Sequence, residues 1–290
     1  MGKTLYLDCS SGISGDMTVA ALLDLGASEQ RLRETLSTLP THGFDVAVTR
    51  VRKSGLDACD FDVRLDAAHE NHDHDMVWLY GHLDASEHEH THAHGHDHLE
   101  RYKSDRIEAI SDPIVTDLQH SAEHDHEHAH HHHHHHEHRS LADVCAIIDA
   151  SAMSEHAKEL AHAVFGKLAE AEAKAHGATP ESVMFHEVGA IDSIVDICSV
   201  AICLDDLDVT AVIVPSLAEG HGTIRCAHGI MPVPVPAVVN LCQAADIALV
   251  PAPVAGELVT PTGAAIVAAL RTDSALPASY AIERVGYGAG

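Results

Sequence analysis

The segment Phe185-His186-Glu187-Val-Gly-Ala-Ile-Asp192-Ser193-Ile-Val-Asp196 places four side chains able to bind metal or move protons within a dozen residues. If a helix starts near Ala190, Asp192 and Asp196 stand at i and i+4, roughly 40° apart around the axis, on an otherwise apolar helix. Two carboxylates there repel one another. Desolvating them without partners costs several kcal/mol, so a cation, a hydroxyl or a metal is expected to face them. The set His186, Glu187, Asp192 and Asp196 suits a divalent ion with mixed nitrogen and oxygen ligands, or acid/base work on a bound substrate. The structural alternative makes Asp192 a helix cap and pairs Asp196 with an arginine.

Three further groups have the composition of binding loops. Asp8-Cys-Ser-Ser-Gly-Ile-Ser-Gly-Asp16 is a polar glycine loop between a strand and a helix. Its Ser10, Ser11, Gly12, Ser14, Gly15 and Asp16 suit an anion such as phosphate at the helix N-terminus. It has neither a Walker lysine nor Gly-x-Gly-x-x-Gly spacing, and the alternative is a tight turn with Asp16 capping the helix. Gly220-His-Gly-Thr-Ile-Arg225-Cys-Ala-His228-Gly229 offers Arg225 for a phosphate or carboxylate, and His228, in preference to His221, for a small ligand. Glu257-Leu-Val-Thr260-Pro-Thr262-Gly263 sets two hydroxyls and a glycine at a helix start, as an anion cradle or as plain N-capping.

Between His69 and His138 lie 22 of the 29 histidines, with 16 Asp and Glu and three Lys or Arg. Blocks such as His124-Asp-His126-Glu-His128-Ala-His130 interleave imidazole with carboxylate. This suits Ni, Zn or Cu without a fold to place the ligands. Such a segment concentrates labile metal but lacks the apolar residues to form a core, so residues 69–138 are expected to be a disordered insert. A solvated acidic insert, or a purification tag within His130–His136, is the alternative.

The 290 residues are 46% hydrophobic with net charge −27. Without the insert, about 220 residues remain for the globular part, expected as residues 1–68 and 139–290. No basic stripe exists to meet nucleic-acid phosphates. The N-terminal apolar run is too short for a signal peptide, and no 18 uncharged apolar residues are consecutive, so a cytoplasmic protein with no membrane partner is expected. Seven cysteines without a Cys-x-x-Cys pair read as small core residues of a reduced protein.

Positioning these loops requires strands at Thr4–Asp8, Ala211–Val214, Ile247–Pro251 and Tyr280–Val285, and a hairpin Phe44–Val51/Ala58–Leu65 around Lys53-Ser-Gly55. Helices are expected at Met17–Leu25, Ser28–Leu39, Leu141–Ala150, Glu155–His176, Ile191–Leu207, from the proline run Pro232–Pro236 through Ala245, and at Pro261–Leu270 starting at Thr260 or Thr262. Glu219–Gly229 reads as a Gly/His-rich loop. The mixture predicts an α/β (α+β) fold with a mixed sheet covered by helices.

The motifs Asp8–Met17, Phe185–Asp196, Ala227-His-Gly-Ile-Met-Pro-Val-Pro234, Glu257–Ala264 and Gly286-Tyr-Gly-Ala-Gly290, in this order, resemble the LarC family of nickel-insertion proteins. The resemblance implies a nickel chelatase, a lyase-type cyclometallase. It would place Ni(II) into pyridinium-3,5-bisthiocarboxylic acid mononucleotide to complete the nickel-pincer cofactor of lactate racemase. It also implies CTP with Mg(II) or Mn(II), used through a C-terminal module or polypeptide beyond the Gly-Tyr-Gly-Ala-Gly motif. A homo-oligomer is expected. In this reading His186, Glu187, Asp192 and Asp196 form the reaction centre and a fixed nickel site, while His124, His126, His128 and His130 collect the metal. Ser10–Asp16, Arg225, His228, Thr260 and Thr262 hold the nucleotide. The competing classes are a non-enzymatic nickel metallochaperone or store and a phosphate-dependent hydrolase.

Overall fold

The computed structural model describes residues 2–66, 139–185, 188–226 and 228–290. The expected insert, with His124, His126, His128 and His130, lies outside the described residues, as do His186 and Glu187. Residues on both sides of that segment contribute to one core. Val19, Leu22, Leu32 and Phe61 come from the first stretch; Val164, Phe165, Ile194, Ile197 and Val267 come from the second.

The strands form small mixed sheets, in agreement with the α/β reading. β1 (Lys3–Tyr6) runs parallel to β6 (Val209–Ile213). β2 (Phe44–Lys53) and β3 (Leu56–Leu65) form the expected hairpin, extended until Lys53 faces Leu56. Ser54 and Gly55 have φ of 51° and 84°, the left-handed pair that a two-residue hairpin turn demands. A short β10 (Gly288–Ala289) runs parallel to β3. β4 (Arg139–Ser140) pairs with β5 (Met184–Phe185). In the last sheet β7 (Leu217–Cys226) is central, antiparallel to β8 (Gly229–Val233) and parallel to β9 (Leu249–Ala255).

Seven helices are described: α1 (Gly15–Asp24), α2 (Glu29–Leu36), α3 (Leu141–Ala150), α4 (Glu155–His176), α5 (Ile191–Asp206), α6 (Pro236–Ala244) and α7 (Pro261–Leu270). Most of their starts follow from capping hydroxyls, whereas α5 and α6 begin at Ala190 and Val235 with no side-chain cap. Ser28, Ser140, Ser154 and Thr260 each accept a first-turn N–H, and Ser140 and Asp143 complete a capping box. α4 ends where Gly177 turns left-handed at φ 65°. The buried faces of α4 and α7 are rich in alanine, including Ala161, Ala169, Ala264 and Ala265, which allows close helix packing. α5 is apolar nearly all round and lies within the core, from Ile194 to Leu204. Among the described residues no helix is long and apolar enough to cross a membrane.

Two expectations are corrected. Tyr280–Val285 is not a strand: Tyr280, Ile282 and Val285 are exposed, and the sheet contact comes later, where Cys59 N–H donates to Tyr287 O at 2.9 Å and β10 begins. Alternation there marks a segment with no strand edge to join. Glu219–Gly229 is not a loop but most of β7 and the turn into β8. Gly220 is required there by close approach of β9, since a Cβ would lie 2.0 Å from Gly256 O. Pro232 is tolerated because β8 is an edge strand.

Candidate functional site

α1 starts at Ser14, whose Oγ accepts the Met17 N–H at 3.4 Å and donates to Asp16 Oδ1. Ser14 is therefore the cap, and Asp16 stands in the first turn rather than capping the helix. The loop before it is tied down on two sides. Ala218 N–H donates to Cys9 O at 3.1 Å, and Ile13 exchanges backbone bonds with Leu258 O (2.8 Å) and Thr260 N–H (3.1 Å). Gly12, at φ 92°, lies where a Cβ would be 2.0 Å from Leu258 O.

The glycines of this region mark contact between elements. A Cβ on Gly15 would be 2.5 Å from Asp196 Oδ2 and 2.8 Å from its Cβ. The first turn of α1 thus packs directly on the Asp196 side chain of α5. On Gly263 a Cβ would be 2.3 Å from Ile13 O, which seats the start of α7 on the same loop. Gly286 and Gly288 meet α1 backbone at Ala21 O (2.3 Å) and Met17 O (2.0 Å). The C-terminal Gly-x-Gly-x-Gly segment therefore lies on α1 because it has no side chains on that face.

Asp192 is 7% exposed, and Asp196 Oδ1 is buried without a hydrogen-bond partner. Burial, then the charges of Asp16 and Asp192, hold the Asp196 carboxyl well above the usual carboxylate range; the Asp16 backbone amide offsets this only in part. No arginine faces it among the described residues, where the ion-pair alternative for Asp196 finds no partner. Asp192 does not cap α5 either, for Ala190 stands at that position.

One cavity of about 1880 Å³ joins the motifs. The wall includes Ser10, Ser11, Gly12, Ser14, Gly15 and Asp16, then Asp192 and Asp196, Arg225 and His228, and Thr260 and Thr262. Every described residue expected at the site lines it; His221, exposed on β7, does not. Among the described residues no three His, Cys, Asp or Glu side chains are placed to hold one metal ion. Cys9, Cys198 and Cys203 have thiols pushed up to about 12, chiefly by burial.

Three residues of this neighbourhood were not singled out from the sequence. Glu219 is 2% exposed, and its Oε1 accepts the N–H groups of Gly220 (2.8 Å), Leu258 (2.9 Å) and Val259 (3.3 Å). It clamps the loop that leads to Thr260 onto β7, and nothing in a Glu at the start of an apparent loop reveals that role. Glu172 and His176 also line the cavity, with Glu172 Oε2 3.4 Å from His176 Nε2. Their i, i+4 spacing in the last turn of α4 was the available signal.

Residues 5–290 match the family described as nickel insertion protein. A protein of Alkaliphilus metalliredigens named pyridinium-3,5-bisthiocarboxylic acid mononucleotide nickel insertion protein is 42% identical over 291 residues, covering 100% of this chain and 57% of that protein. Proteins of the same name from Geobacillus kaustophilus and Akkermansia muciniphila are 35% and 36% identical over 289 residues, covering 99% of this chain and 56% of each relative. The chain thus spans somewhat over half the length of the curated relatives it matches. No solved structure matches it. With a family match across nearly all of its residues and relatives of this identity along its whole length, the chain belongs to the nickel insertion protein family.

Proposed function

We propose that this chain carries the nickel-insertion chemistry that completes the nickel-pincer cofactor used by lactate racemase. The substrate would be pyridinium-3,5-bisthiocarboxylic acid mononucleotide, and the cargo Ni(II). When a ring carbon bonds to nickel its C–H bond breaks, and the proton must go to a base while both thiocarboxylates become nickel ligands. Asp196 suits that task. Buried beside Asp16 and Asp192, its carboxyl opens on the cavity, and an arriving divalent cation would displace to solvent the proton it holds at rest, leaving a carboxylate to accept the one from carbon. This carboxyl, packed between α1 and α5 on the cavity wall, is the observation that carries the reading.

Asp16 and Asp192 supply negative potential that favours a divalent cation beside Asp196, with His186 and Glu187 as further ligands. Asp16 in the first turn of α1, with Asp196 of α5 packed against Gly15, makes that helix start acidic, so the nucleotide phosphate is better received by Arg225 and by Thr260 and Thr262 at the start of α7. The glycine loop then serves mainly to bring α1 against α5. CTP with Mg(II) or Mn(II) is assigned to the portion of the relatives that this chain does not span, acting as a C-terminal partner module. His124, His126, His128 and His130 gather nickel for the site.

The test combines the chain with a polypeptide carrying the rest of the relatives' length, Ni(II), CTP and the thiolated mononucleotide, and follows product absorbance. Product formation is expected. Binding of many nickel ions with no product under any supplementation would instead indicate a metallochaperone or store. Removal of residues 69–138 is expected to lower nickel stoichiometry and leave the rate at saturating nickel unchanged; complete loss of activity would place the segment in the reaction itself.

A further inference from the structure

α4 stops at His176 because Gly177 takes the left-handed conformation, and the β7–β8 hairpin turns through His228, with Cys226 facing Gly229 across its base. These unrelated stops bring two imidazoles together. The ring centroids of His176 and His228 are 4.9 Å apart with planes tilted by 40°. Both residues are exposed and both line the cavity, so the pair lies at its rim. Glu172, with its side chain 14% exposed, sets a carboxylate oxygen 3.4 Å from His176 Nε2.

We infer that His176 and His228 form a nickel-receiving pair at the cavity rim, oriented by Glu172, which takes Ni(II) from solution or from the histidine-rich segment before insertion. The inference deepens the nickel-insertion reading and rests on it for the choice of metal. Imidazole is a preferred ligand of Ni(II), and a carboxylate beside one ring nitrogen fixes the ring and raises its basicity toward a metal at the other. Two imidazoles leave most of the coordination sphere to water or to the incoming thiocarboxylates. A delivery site needs such incompleteness, since a full protein shell would hold the ion rather than release it. Arg225, on the same wall, suits the phosphate of the mononucleotide that is to receive the metal.

Because the other histidines also bind nickel, the test must read each residue separately. Carbethoxylation of the full chain, quantified peptide by peptide with and without Ni(II) alone, does so. Nickel is expected to slow modification of His176 and His228 together, at one metal concentration and about 3-fold or more, and to leave the exposed His42 unaffected. In His176→Ala the protection of His228 should vanish, and the reverse in His228→Ala. Glu172→Gln should raise the nickel concentration required about 10-fold. His176→Ala should keep the wild-type unfolding curve and maximal rate of product formation while needing about 10-fold more nickel for half the maximal rate. Protection of neither ring, or of one ring independently of the other, would reduce the pair to a stacking contact at a helix end and overturn the inference. Absence of product from the wild type with protection intact would count against the insertion reading, not against the metal pair.

Discussion

The two clusters on the cavity wall differ in how the chain holds them. Asp16, Asp192 and Asp196 come from the N-terminal turns of two helices packed so tightly that Gly15 has no room for a Cβ. His176 and His228 come from a helix end and a hairpin turn, and both are exposed. Burial raises the basicity of a carboxyl and fixes its position, which serves a proton transfer. Exposure lets ligands exchange, which serves capture and release of an ion. The proposed chemistry at the first cluster and the inferred delivery at the second both rest on this contrast.

Among the neighbours of Asp196, the largest effect should follow from Asp192→Asn. It keeps the shape of α5 and removes a charge beside Asp196, so product formation should drop about 100-fold or more, with the fold retained as judged by circular dichroism. Wild-type rates from that variant would detach the acidic cluster from the reaction. Next is Gly15→Ala. Alanine ordinarily favours a helix, but here the added methyl meets Asp196, and a loss of about 1–3 kcal/mol of stability is expected in chemical denaturation. Unchanged stability would mean that α1 and α5 are not in direct contact.

The pH dependence of stability sharpens the same contrast. With its folded value raised, Asp196 holds a proton in the native state where the unfolded chain has already lost it. Its contribution is fully present below the ordinary carboxylate value and is lost as pH rises toward the raised one, at about 1.4 kcal/mol per pH unit. The stability of Asp196→Asn relative to wild type should therefore grow with rising pH, measured by denaturant midpoints; a difference independent of pH would contradict the burial argument. The smallest effect belongs to His176→Ala, where an exposed side chain is removed and only the nickel requirement moves.

Much of this was legible in the residues. Asp192 and Asp196 were readable because two acids one turn apart in an apolar helix must be accounted for energetically. The hairpin was readable because Lys53-Ser-Gly55 has turn chemistry between alternating strands. Glu219 was not, because its three backbone partners come from Gly220 and from residues near 258 that only the fold brings close. Nor was the meeting of His176 with His228, 52 positions apart, which depends on where one helix stops and one hairpin turns. β7 reads as a loop in the sequence because glycines that admit a neighbouring backbone look the same there as glycines that give flexibility. The Tyr280–Val285 strand failed because alternation reports a two-sided segment and says nothing about an available edge.

The most direct test of the account is single-turnover nickel insertion by Asp196→Asn, with nickel and mononucleotide saturating and a polypeptide carrying the rest of the relatives' length supplied. The isosteric amide cannot take a proton from the ring carbon, so the account predicts no product absorbance from a protein at least as stable as wild type at neutral pH. Product appearing at the wild-type rate would contradict it.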